Sequence, residues 1–286
     1  MKPQLDNKLM SSVLLWLDHT LLDKGEAYTN VSGQFYRIDS IFSDYYAYAS
    51  PFKQIVADTS IPNANILSGV YLNNNYVSVG ESGYSGVNFN EGQLYFSQSL
   101  NNQTISGNYA IKDFNVYLTN EPEYKLLFET KYEARPKINR PFTGLAPQTL
   151  TFPCIFVKND GSVNEPFAFG GTDTTVFNIK LIVLANSQFS CDAVSSILRD
   201  KKYTFIPIFS ENDMPYNNLG YSKNGNYNYT QIANSIPFSD MACIANVSTT
   251  QISYRSAIVN EIKTLNPGVF PNIIDMRIEL VRNPRL

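Results

Sequence analysis

The run from Phe152 to Phe209 restricts the fold of this chain more than any other stretch. It reads FPCIFV, the turn NDGS, a Gly-Gly pair, the alternating run TTVFNIKLIVLA, then NSQFSCDAVSSILRD and YTFIPIF. Strand, longer strand, helix and strand in that order make one sheet with a helix laid across a face. The helix is predicted to start near Ser187 or Ser190, with Asp192 in its first turn and Arg199 in its last, charges that suit the helix dipole at both ends. Phe189, Ala193, Val194, Ile197 and Leu198 are its expected face against the sheet.

Downstream, residues 210 to 235 are rich in Asn, Tyr and Gly and too long for an ordinary connection. Such a segment is either a contact surface that orders on assembly or a flexible loop. MACIANV reads as a strand, and Ile258, Ile262 and Leu265 are spaced for a second short helix. The last strand, NIIDMRIELV, puts Ile274, Met276, Ile278 and Leu280 on one side and Asp275, Arg277 and Glu279 on the other.

Upstream, Met10, Val13, Leu14, Leu17 and Leu21 recur at helical steps from about Lys8 to Lys24, with Ser11 or Ser12 as cap and Gly25 as stop. So broad an apolar face requires a sheet or a partner to lie on. From Gly25 to Ile66 the text is irregular and Tyr-rich, with GQFYRI and KQIVAD as candidate strands whose continuity Pro51, Pro62 and scattered Asn break, and it is either an excursion across another subunit or a plain lead-in. Between Ile66 and Lys131, ILSGVYLNN, NYVSVG, SGVNFN, GQLYFSQS, TISGNYAI, FNVYLTN and YKLLFETKY are short period-two segments, with a hairpin turning at Asn90-Glu91-Gly92. Then ARPKINRPFTGLAPQTLTFP carries four prolines in its twenty residues and reads as a stiff linker. Arg135, Lys137 and Arg140 make it locally basic, as a solvated face or as a contact to an acidic neighbour or to DNA.

The fold class expected is therefore α+β in four parts. They are an N-terminal helix (1–25), a Tyr-rich lead-in with a small β-sandwich or barrel (26–133), a Pro-rich linker (134–151) and a C-terminal mixed sheet flanked by one or two helices (152–286).

The sequence carries few marks of chemistry. With 22 basic against 25 acidic residues, the net charge of -3 disfavours duplex-DNA recognition as the main task. Cys154, Cys191 and Cys243 are odd in number, far apart and set among apolar neighbours, which suits buried thiols better than disulfides or a metal site. His19 is the one histidine, inside the first helix, where a structural role outweighs a catalytic one. Asp58, Asp113, Asp173, Asp200, Asp213 and Asp240 are possible carboxylates, and spacing pairs none of them. The Gly-Gly of AFGGTDTT precedes a strand, whereas a phosphate loop follows one, so a tight turn is expected there. No catalytic residue, cofactor or metal is expected, and the reading is of a non-enzyme. No signal peptide is expected, and no run approaches the about 20 apolar residues of a membrane span.

The order of these elements resembles a known family. LLWLDHTLLDKG, an intervening β region, and then FPCIFV, the Gly-Gly turn, TTVFNIKLIVLA, CDAVSSILRD and IIDMRIEL look like the tail-terminator or neck class of virion proteins of tailed bacteriophages. GVNFNEGQLYFSQ with TISGNYAIKDFNVYL resembles β modules of phage structural proteins. The likeness covers most of residues 8–24 and 150–286. It implies a ring, commonly hexameric, at the neck or head-proximal end of the tail, made of identical subunits and touching other neck, tail tube or sheath proteins. DNA passage would be passive, without sequence recognition, and the location would be the virion, with the host cytoplasm during assembly. Terminators are typically shorter, so the inserted β region leaves a neighbouring connector or collar role open. On this reading Leu14, Leu17, Leu21, Arg135, Arg140, Tyr216, Tyr221 and Tyr227 are the expected contact residues. The alternative, suggested by Asn/Tyr-rich strands, is a carbohydrate-binding or adhesion β module on a virion or cell surface.

Overall fold

In a computed structural model the described residues are 4–42, 44–52, 54–100, 103–129, 152–168, 172–216, 225–251 and 268–282. The chain is α+β, with, among the described residues, one long N-terminal helix, two sheets and two shorter α-helices. Helix α1 spans Leu5–Lys24. It starts earlier than expected, where the Asn7 side chain accepts a hydrogen bond from Gln4 N–H at 3.2 Å. Ser12 is no cap but a buried joint: its hydroxyl donates to Lys8 O at 2.7 Å and accepts from Phe209 N–H at 2.9 Å. Leu9, Val13, Leu15, Trp16, Leu17, Leu21 and Leu22 are all buried, so α1 is covered on nearly every side rather than along one stripe. Burying each such large side chain contributes about 1.5–3 kcal/mol.

The lead-in expected to be irregular contains β1 (Tyr28–Phe42), the central strand of the first sheet, and β2 (Tyr45–Ala49). The candidate strand GQFYRI lies inside β1, and the polar residues before it hid the strand's full length because much of that stretch faces solvent. The sheet also holds β3 (Gly69–Leu72), β4 (Asn75–Ser78), β5 (Tyr84–Asn88), β6 (Gln93–Phe96) and β7 (Ile105–Lys112). Its order is β4-β3-β7-β1-β2-β6-β5. β1 pairs with β7 along Tyr28–Phe35 and with β2 from Tyr36 onward. One long strand thus serves two ladders, and the sheet curls toward a barrel. The expected hairpin is present, with Val87 opposite Leu94 and Asn88 opposite Gln93.

The second sheet runs β11-β12-β13-β10-β9-β8, formed by β8 (Asn115–Leu118), β9 (Cys154–Ala168), β10 (Thr172–Ala185), β11 (Phe205–Pro207), β12 (Met241–Gln251) and β13 (Phe270–Arg282). β8 was expected in the inserted β region, but it is the edge strand here, parallel to β9 with Asn115 opposite Cys154. NDGS was expected to be a turn, but β9 runs straight through it. Asp160 is an extra residue between Asn159, opposite Ile179, and Gly161, opposite Asn178, and Gly161 takes φ +125° to make the bulge. YKLLFETKY was expected to be a strand, but Lys125–Glu129 is a π-helical turn, started by Lys125 N–H bonding to Pro122 O at 3.1 Å.

Helix α2 spans Gln188–Arg199, and Ser187 caps it by accepting from Ser190 N–H. Its inward face is Cys191, Val194, Ser195 and Leu198, a rotation away from the expected one, and Phe189 is 84% exposed. Asp192 falls beyond the first turn. Helix α3 spans Tyr229–Ser235. Ile155, Val157, Phe177, Ile179, Leu181 and Val183 of the second sheet share one apolar core with α1, α2 and the first sheet. The opposite face, with Cys154, Phe156, Ile182 and Leu184, packs on Leu126 and Leu127. A single core thus joins what sequence divided in two. The expected linker 134–151 and the expected helix around Ile258, Ile262 and Leu265 lie outside the described residues.

Candidate functional site

Three distant segments meet at one buried carboxylate. Asp58, in the loop after β2, is fully buried. Its Oδ1 accepts from Ser60 N–H at 2.9 Å, Ser60 Oγ at 2.6 Å and Tyr229 N–H at 3.0 Å. Its Oδ2 lies 2.7 Å from His19 Nδ1. Burial pushes this carboxyl up, but the bonds from His19, Ser60 and Tyr229 outweigh it and hold it below the usual carboxylate range. An ionised carboxylate can only accept, so His19 Nδ1–H is the donor and Nε2 is the remaining nitrogen. The imidazole stacks on the Tyr229 ring, with centroids 4.1 Å apart and planes 18° from parallel.

Next to this joint lies a second one. Lys112, at the end of β7, donates to Asp18 Oδ1 of α1 at 2.7 Å, with both side chains mostly buried. Asp18 Oδ2 is buried with no hydrogen-bond partner among the described residues. Tyr216 Oη donates to Tyr227 Oη at 3.1 Å, and burial raises both phenols above their ordinary range, helped next by the Asp18 charge at Tyr216 and by Tyr216 and then Asp18 at Tyr227. Tyr227 also bridges to the Asp58 loop through its backbone: Tyr227 N–H to Ala57 O at 2.9 Å and Thr59 N–H to Tyr227 O at 2.6 Å.

A cleft of about 230 Å³ opens beside His19, between α1, β11 and α3, rimmed by Asp23, Lys24, Lys201 and Asn234. An aspartate-oriented histidine at a cleft has the form of a general base. Among the described residues, no serine, threonine or cysteine bonds to Nε2 to complete a nucleophilic set. Nor does any group of three or more His, Cys, Asp and Glu stand ready to hold a metal ion among them. The observed action of the pair is mechanical: it clasps α1, the 57–60 loop and α3 together. Of the other candidate carboxylates, Asp113 accepts from Thr29 Oγ1 across the ends of β1 and β7, and Asp213 accepts from nearby Ser210, both at the surface.

Several expected contact residues have other duties. Leu17 and Leu21 are in the core and offer no surface to a neighbour, because α1 is enclosed by its own chain. Leu14 is half-buried. Tyr227 is buried and Tyr216 half-buried, both turned into the polar seam. Arg135, Arg140 and Tyr221 lie outside the described residues. Sequence reading weighed His19 and Asp58 separately and missed their pairing, and it missed Asp18 and Lys112 altogether. The available signal was a charged residue, Asp18, among the apolar residues of the middle of α1, from Val13 to Leu22. No helix among the described residues is long and apolar enough to cross a membrane.

Comparison with protein-family models gives no match to this chain, and comparison with curated proteins gives none either.

Proposed function

We propose that this chain is a structural subunit that assembles with copies of itself into a ring, in the neck or at the head-proximal end of a phage tail. The observation that carries the assembly reading is an exposed aromatic cluster beside β11, the edge strand of the second sheet among the described residues. Phe205, on edge strand β11, is 44% exposed and Phe238 is 70% exposed, and their rings lie 5.1 Å apart. Exposed Tyr203 adjoins them in sequence. Clustered aromatics left in water beside an edge strand mark a protein contact. The opposite edge, β8, also carries exposed apolar groups, Leu118 and, beyond the strand, Tyr124. Contact between two different edges of one sheet is heterologous, and a heterologous contact repeated around an axis closes a ring. The phage assignment rests on the likeness in element order, and neck, tube or sheath proteins are the proposed neighbours.

Light scattering and negative-stain electron microscopy of the purified protein test this. A ring with the mass of several 32.2 kDa subunits is the expected result, lost in Phe205→Ser/Phe238→Ser while the circular dichroism spectrum is unchanged. A monomer that stays a monomer when neck, tube and sheath proteins are added overturns it.

A further inference from the structure

The outer face of the first sheet holds a shallow groove of about 260 Å³ over the middle of the β1–β7 ladder. Its floor is the backbone of Gly33 and Gly107, which sit directly opposite one another. That floor is braced from inside the sheet. A Cβ on Gly33 would come within 2.8 Å of Tyr109 Oη, and one on Gly107 within 3.0 Å of Leu67 Cδ1, so the core presses against it. Outward on either side of the glycines stand Ser32 opposite Asn108 and Gln34 opposite Ser106. Tyr71 of β3 pairs with Ser106 and closes one wall. Its ring is held edge-on by Tyr76, with centroids 5.5 Å apart and planes at 67°. Tyr76 in turn is held by lying over Gly69 and by the 3.1 Å contact of its hydroxyl with Ser68 Oγ.

The lining contains hydroxyls, carboxamides and one aromatic ring, and no charged side chain. Ser32 Oγ donates to Asn108 Oδ1 at 2.6 Å, which leaves the Asn108 amide N–H groups directed elsewhere. Among the described residues, the Gln34 amide and the Ser106 hydroxyl have no hydrogen-bond partner. Carboxamides and hydroxyls each both donate and accept, which matches the paired donor and acceptor character of a sugar hydroxyl. A fixed tyrosine ring offers a flat apolar surface to the C–H face of a pyranose, and a few placed polar groups then set its orientation. An anionic ligand would want a cation and a peptide strand would want a free sheet edge, and this face supplies neither.

From these features we infer that the groove binds a neutral saccharide, with Tyr71 as the stacking platform and Gln34, Ser106 and Asn108 as the hydroxyl-reading groups. This site is on the other sheet from the aromatic edge and does not depend on ring assembly.

The test is binding of the full chain to an array of neutral and acidic oligosaccharides, followed by calorimetric titration with the strongest neutral member. Neutral glycans should bind. Gln34→Ala and Tyr71→Ala should each weaken binding by about tenfold, the loss of one or two well-made contacts. Gln34 is exposed, so its substitution leaves the fold intact and separates loss of binding from loss of structure. Phe205→Ser/Phe238→Ser should bind as the parent does, whatever its effect on assembly. Absence of binding to every neutral glycan, preference for acidic ones, or unchanged affinity in Gln34→Ala overturns the inference.

Discussion

His19 Nδ1 and Asp58 Oδ2 lie 2.7 Å apart although 39 residues separate them, and the same carboxylate also receives the first N–H of α3, from Tyr229. Removing this acceptor leaves several donors unsatisfied. Asp58→Ala should lower stability by about 3 kcal/mol in urea unfolding, and Asp58→Asn by less, because its carbonyl oxygen can take over the bonds of Oδ1.

The same group sets a pH dependence. Its folded value lies below that of an ordinary carboxyl, so its contribution is complete above the unfolded value and is lost as pH falls through the folded one. The midpoint of urea unfolding should therefore drop more steeply below pH about 4 in the parent than in Asp58→Asn, measured over a pH series.

The Lys112–Asp18 pair makes a separate prediction. Lys112→Met strands a buried carboxylate whose other oxygen has no partner among the described residues, and should cost about 3 kcal/mol. Adding Asp18→Leu removes the stranded charge and should restore most of that loss. Unfolding curves of the two variants decide it.

Leu17 distinguishes a core role from a contact role. Leu17→Ala should cost about 3 kcal/mol, and Leu14→Ala, at a half-buried site, about 1 kcal/mol. If Leu17 were instead a subunit contact, light scattering would show a changed assembly mass with unchanged subunit stability.

The thiols differ in accessibility. Cys154 and Cys191 are fully buried; burial first, then the Asp192 charge, pushes the Cys191 thiol up to about 12. Cys243 is half-buried, with its thiol raised by burial and by Glu279. Iodoacetamide on the native protein should label Cys243 slowly and spare the other two, and all three should label after denaturation, as read by peptide mass spectrometry.

Spacing made α1, the β5–β6 hairpin, β10, α2 and β13 legible, because each carries its own run of apolar residues at helical or strand steps. Where that regularity is broken the reading failed or fell short: only GQFYRI stood out of the whole of β1, NDGS mimics a turn, and the apolar run in KLLFE was expected in a strand yet coils. The rotation of α2 that leaves Phe189 exposed was likewise hidden, since adjacent apolar stripes look alike before a sheet selects one.

The sequence by itself determined which segments would be strand or helix where local spacing is strong, the placement of Ile274, Met276, Ile278 and Leu280 on one face, and the low net charge. Tertiary structure alone decided that β8 crosses to the second sheet, that His19 meets Asp58, that Asp18 meets Lys112, and that Tyr216 and Tyr227 turn inward. The physical reason is one of range. A periodic face is a property of neighbours along the chain, whereas a buried polar group takes whichever complementary group the packed core brings to it.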